Sequence, residues 1–229
     1  MKTTALLRAG STITCLLLAA GSAWAQAPDT ARTKKTASWQ FGETLGLGVA
    51  LVNPDDDHYL PNDEVKFGSE VALHATRFWR RGNSALGLRL GLGLLGRNGR
   101  YTFGTEHVRR AETMGIIPVE FVSRRYWRDS NWFSEVSVGG YFGGLVSRNT
   151  YQLDPTNGTT QRSSDSWVYA TGGVIANFGV GYHQGRHYHQ VGVRFSNDLT
   201  KPRNPDAGQL PNLQTGNISL CYSITWGKS

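Results

Sequence analysis

Between Trp39 and Trp226 the chain falls into eight strand-like runs whose connections alternate long and short. The long connections are Asn53–Glu64, Arg97–Glu112, Arg148–Asp165 and Asp198–Thr215; the short ones are the four-residue turns Arg80–Asn83, Arg128–Asn131 and His183–Arg186. A water-soluble sandwich has no reason to gather every long loop at one end. An outer-membrane barrel does, because its periplasmic turns are short and its outward loops are long. The rhythm therefore predicts an all-β fold: an eight-stranded antiparallel up-and-down transmembrane β-barrel.

The runs carry the period of two that a strand requires, the second, fifth and sixth less regularly than the rest. Leu86, Leu88, Leu90, Leu92 and Leu94 alternate with Gly87, Arg89, Gly91 and Gly93. Ile218, Leu220, Tyr222, Ile224 and Trp226 alternate with Asn217, Ser219, Cys221, Ser223 and Thr225. Which face points inward is decided by size and charge. Glycines with a scattering of arginines make a poor solvent-facing surface, but they suit the crowded interior of eight strands, which is about wide enough for side chains alone. The same inward class contains Glu70, Arg89, Glu120, Arg124, Glu135 and Arg194, three acids and three arginines expected to neutralise one another in the lumen. Glu43 falls on the lipid-facing side of the first run and is read as marking a bulge or the periplasmic end. The alternative, a soluble lipocalin-like barrel, would turn the leucines inward.

Aromatic placement gives an independent check. Trp39, Phe41, Phe78, Trp79, Tyr126, Trp127, Trp132, Phe133, Tyr182, Tyr188 and Trp226 all cluster near the short turns, and with them five of the six tryptophans after Ala25. Such girdles form where an apolar ring meets lipid and its polar tip meets headgroups. Trp167 and Tyr169 are assigned to the opposite rim.

The amino terminus predicts export. Lys2 and Arg8 precede the apolar stretch Ile13–Ala20, and Ala23-Trp24-Ala25 offers a small-x-small cleavage pattern. The expected organisation is a signal peptide over 1–25, a flexible periplasmic leader over 26–38 and a barrel over 39–229. Removing Lys2 and Arg8 lowers the formal charge from +7 to +5, a mild excess suited to anionic lipid phosphates. Nucleic acid is excluded as a partner by export and by the lack of a dense basic run. Cys221 alone remains of two cysteines, so no internal disulfide is available, and it reads as a small lumen filler. No later segment is apolar enough for a membrane helix, which leaves strands to carry insertion.

Several motifs resemble the PorT-like outer-membrane β-barrel family common in Bacteroidetes. Met114-Gly115-Ile116-Ile117-Pro118-Val119-Glu120-Phe121 is similar to its Leu-x-Ile-Pro-Leu strand, Gly139–Leu145 to its glycine-aromatic strand, Gly192–Leu199 to its penultimate strand and Ser219–Trp226 to its closing one. The resemblance implies an eight-stranded barrel and no fixed chemistry. Gly227-Lys228-Ser229 departs from the terminal aromatic on which barrel-assembly signals usually end.

Enzymatic and metal readings are weaker. Arg194-Phe195-Ser196-Asn197 resembles the His-x-Ser-Asn of the lipid A deacylase PagL, but a protonated arginine cannot accept the serine proton, and His189 stands five residues away. Asp55, Asp56, Asp57, His58, Asp63 and Glu64 lack EF-hand spacing and read as a solvated acidic loop. His183, His187 and His189 surround a turn without a further converging ligand. No metal and no cofactor are expected. Arg97, Arg100, Arg109 and Arg110, in the second long connection, are placed at the outer rim, where lipopolysaccharide phosphates would meet them. The sequence thus predicts a monomeric, non-enzymatic outer-membrane protein. Its partners would be outer-membrane lipid, lipopolysaccharide and, during insertion, the barrel-assembly machinery. Its role would be structural, envelope-contacting or supportive of secretion and assembly, without a wide pore. A lipid-modifying barrel enzyme is the second reading.

Overall fold

The computed structural model describes residues 36–54, 59–61, 66–103, 106–154, 158–165, 170–199 and 213–227. The signal peptide and most of the leader, the acidic stretches Asp55–His58 and Asp63–Glu64, and Trp167 and Tyr169 lie outside these residues. Among the described residues there are ten strands: β1 (Thr36–Pro54), β2 (Tyr59–Pro61), β3 (Phe67–Arg81), β4 (Ser84–Phe103), β5 (Glu106–Tyr126), β6 (Trp132–Asp154), β7 (Thr159–Asp165), β8 (Ala170–Gln184), β9 (His187–Asp198) and β10 (Leu213–Gly227).

Eight of them close a ring. β1 pairs with β3, β3 with β4, β4 with β5, β5 with β6, β6 with β8, β8 with β9, β9 with β10, and β10 returns to β1, every pair antiparallel. Closure leaves no edge, which satisfies the backbone polar groups of strands in lipid. At the short-turn end, Gly82 (φ 58°) and Gly185 (φ 61°) adopt the positive φ that a two-residue hairpin loop needs at its first position. Two of the expected four-residue turns are therefore two-residue loops, with the ladder running further down on either side.

The other end differs more from expectation. β4, β5 and β6 are 20, 21 and 23 residues long, about twice what a tilted strand needs to cross a bilayer. The stretch Arg97–Glu112, expected to be a loop, is mostly the upper halves of β4 and β5. β2 adds to β4, and β7 adds to β6, above the barrel proper. A five-stranded sheet, β2-β4-β5-β6-β7, thus stands on one side of the outward rim. Sequence alternation missed it because, above the membrane, both faces of a strand meet polar surroundings and the apolar period disappears. β6 accommodates the change with a bulge at Val146, opposite Thr113 and Met114.

Parity divides the wall into two surfaces. Outward-facing Leu47, Phe121 and Phe142 are 75%, 71% and 74% exposed, whereas inward-facing Glu120 and Glu135 are fully buried and Arg124 is 1% exposed. A water-soluble barrel presents the reverse. Glu43 does face outward, but β1 keeps regular register with β3 and β10 there, so it marks no bulge.

Candidate functional site

The interior is organised in tiers. Nearest the short turns, Phe78, Tyr126, Phe133 and Tyr188 form a buried cluster. The Arg124 guanidinium carbon lies 4.4 Å from the Phe78 ring centre, 4.5 Å from that of Phe133 and 4.9 Å from that of Tyr188. These four aromatics are a correction to the girdle read from sequence. Phe78-Trp79, Tyr126-Trp127 and Trp132-Phe133 are neighbours along the chain, and successive strand residues point to opposite faces. One member of each pair must therefore enter the lumen. Trp39, Phe41, Trp79, Trp127, Trp132, Tyr182 and Trp226 are the outward members, all substantially exposed. Trp39 stacks on Phe41, Trp127 on Trp132, and Trp132 meets Tyr182 edge-on.

The middle tier brings together Glu70, Arg89, Glu120, Arg124, Glu135 and Arg194, contributed by β3, β4, β5, β6 and β9. Arg124 donates from Nε and Nη2 to Glu135 Oε2 at 2.9 and 2.6 Å, and from Nη1 to Gln40 Oε1 at 2.9 Å. Arg89 reaches the other oxygen of Glu135 at 2.6 Å and lies 3.8 Å from Glu120. Arg194 joins Glu120 at 2.8 Å and Glu70 at 3.0 Å. Ser137 donates to Glu120 Oε2 at 2.5 Å. Each carboxylate has a guanidinium partner, the condition under which buried charges persist in a low-dielectric interior.

The upper tier was not legible as a site. Arg97, assigned to rim phosphates, is buried in the lumen and bonded to Asp198 through both terminal nitrogens, at 2.6 and 3.1 Å. The Tyr141 hydroxyl also donates to Asp198. Above them, Glu112 accepts from Arg148 at 2.7 Å and from Arg110. Arg97 and Arg110 are thus corrections: both point inward, Arg97 across the lumen to Asp198 of β9 and Arg110 to Glu112 of its own strand. The missed acids had a signal in the sequence. Glu120, Pro118, Ile116, Met114, Glu112 and Arg110 share one parity, as do Gln190, Gly192, Arg194, Ser196 and Asp198.

Arg109 is exposed on the outer face of the upper sheet. The register places Arg100 opposite Arg109, Arg109 opposite Tyr151, and Tyr151 opposite Arg162. One row across four strands therefore reads Arg-Arg-Tyr-Arg. The Arg162 guanidinium lies 5.5 Å from the centre of the Tyr151 ring.

The deacylase-like stretch does not assemble a catalytic pair. Ser196 is buried in the lumen, whereas His189 has the opposite parity on β9 and its Nδ1 lies 2.7 Å from the outward Tyr222 hydroxyl. Cys221 is buried opposite Gly46, where a side chain would meet its sulfur. Among the described residues no three His, Cys, Asp or Glu side chains converge as a metal site requires.

A closed antiparallel barrel with a charged interior, an apolar outer band and an aromatic girdle is a membrane-spanning β-barrel, and such barrels reside in the outer membrane. Among solved structures the chain is similar to the outer-membrane protease OmpT of Escherichia coli, at 11% identity over 87% of this chain and 100% of that one, with a TM-score of 0.44. It is similar to Ail of Yersinia pestis at 9% identity over 82% and 99%, TM-score 0.39. It is also similar to the N-terminal barrel domain of OprF from Pseudomonas aeruginosa at 8% over 85% and 99%, TM-score 0.38. No family model matches the chain, and no curated protein does.

Proposed function

We propose that this protein is a monomeric, non-enzymatic barrel of the outer membrane whose upper sheet contacts phosphate groups of lipopolysaccharide. The reading takes residues 1–25 as a cleaved signal peptide and the short turns as periplasmic, with insertion by the barrel-assembly machinery. The PorT-like motifs of the strands fit a barrel without fixed chemistry.

The Arg109–Tyr151–Arg162 row carries the proposal. Exposed Arg109 and Arg162 flank Tyr151 from the strands on either side, two like charges on one face with no acid in the row between them. Adjacent strands stand about 4.8 Å apart, so the row spans a width matched to saccharide-borne phosphates, and guanidinium groups hold phosphate bidentately. The row lies on the lipid-facing side of the sheet, above the apolar band, at the level of headgroups and inner sugars. Arg97 and Arg110, by contrast, are engaged in the lumen.

The test is binding of purified lipopolysaccharide to the barrel in nanodiscs, beside the same lipopolysaccharide stripped of phosphate. Arg109→Ala with Arg162→Ala is expected to weaken binding about tenfold or more, with a smaller salt dependence. Equal binding of both lipopolysaccharides, or by both proteins, would overturn the reading.

A further inference from the structure

The outer wall carries a groove that the lumen and the upper sheet do not explain. It has a volume of about 640 Å³ and lies near the short-turn end, over Ala75. Ala75 is the one small outward residue in the row Trp226–Phe41–Ala75–Leu90 across β10, β1, β3 and β4. In the next row up Leu73, Leu92 and Ile117 wall this one-methyl floor on β3, β4 and β5, while outward Glu43, opposite Leu73, takes the β1 position.

Directly below on the same strand face stands Arg77, two residues from Ala75 along β3. It is exposed, and its guanidinium carbon lies 5.7 Å from the Trp39 ring centre and 5.6 Å from that of Trp79. Both indoles belong to the aromatic girdle, which sets the headgroup level. Among the described residues no carboxylate pairs with Arg77. A cation fixed between two girdle tryptophans, immediately beneath an apolar groove, has the order of a phospholipid: phosphate at the interface, acyl chain above it.

We propose that this face binds one glycerophospholipid of the periplasmic leaflet. One acyl chain lies in the groove over Ala75, and the phosphate accepts hydrogen bonds from Arg77. In a bilayer the groove must be filled, because an empty one forfeits dispersion contacts on all its walls. Arg77 converts that general requirement into retention of one lipid. The proposal rests on the membrane orientation adopted above, with the short turns on the periplasmic side.

Native mass spectrometry of the detergent-purified barrel with added dioleoyl phosphatidylglycerol tests it. Wild type is expected to retain one lipid. Ala75→Phe, which fills the groove, and Arg77→Gln, which removes the cation, should each lower occupancy about tenfold, the scale of one charge-assisted hydrogen bond. Leu220→Phe, on the same outer face but six residues up β10 from Trp226, should retain lipid like wild type. Ala75→Leu serves if the phenylalanine prevents closure. Undiminished retention by the groove variants overturns the proposal, as does equal retention of dioleoyl glycerol, which lacks the phosphate, or a second barrel copy in place of lipid. Heat-modifiable gel mobility of the wild type separates the two levels: its absence would remove the membrane reading itself, while its presence with no retained lipid removes only this site.

Discussion

Arg124 and Glu135 face each other across β5 and β6 and meet through two hydrogen bonds to a single carboxylate oxygen, while Arg89 holds the other oxygen. Glu135 therefore neutralises two buried guanidinium groups. Glu135→Leu leaves both without it, and loss of one partner from a buried ion pair costs about 3–5 kcal/mol. The expected result is a clear drop in the urea midpoint of the refolded barrel, read by heat-modifiable mobility. An unchanged midpoint would mean that water reaches these arginines.

Tyr141 rests on Gly173 of the neighbouring strand. A β-carbon on Gly173 would lie 2.3 Å from the ring carbon that carries the hydroxyl and 2.4 Å from the Asn197 backbone oxygen, so alanine there must shift both the ring that bonds to Asp198 and the β9 backbone. Gly173→Ala is expected to destabilise by about 1–3 kcal/mol, as overpacking does, and Tyr141→Leu should relieve the ring's share of that loss while the Asn197 carbonyl contact remains. Two additive losses in the unfolding midpoints would refute the steric account.

The interior predicts a closed lumen. Eight strands enclose a width about equal to their side chains, and here that width is crossed by the Arg124 aromatic cluster and the carboxylate network above it. Planar-bilayer recording of the purified protein should show no steady channel steps. Porin-sized conductance would contradict the packed tiers.

Ser196 is lumen-facing and His189 points to the opposite surface. Overexpression of wild type, and of Ser196→Ala, should leave lipid A acylation unchanged, as read by mass spectrometry. A deacylated species that vanishes with Ser196→Ala would establish the hydrolase reading instead.

Much of the fold was legible because a strand's period of two reports sidedness directly. Leu86 to Leu94 and Ile218 to Trp226 declared their faces without knowledge of any partner, and Arg89, Glu120 and Arg194 followed by parity. The upper sheet was not legible, since Arg97 to Glu112 carries no apolar period once both faces leave lipid. Arg97 was misplaced for that reason. Its true partner, Asp198, lies about a hundred residues away in the chain, and no local pattern links them.

The sequence by itself determined the eight strands that close the barrel, the short turns at one end, and which side of the wall most residues of the membrane band occupy. These properties depend only on backbone alternation and on the cost of polar backbone in lipid. The tertiary structure alone decided who meets whom. Closing the ring fixes the register of all eight pairings together, and only that closure sets Arg97 on Asp198, turns Phe78 and Phe133 toward Arg124, aligns Arg109 with Arg162, and stations Arg77 beneath the groove over Ala75.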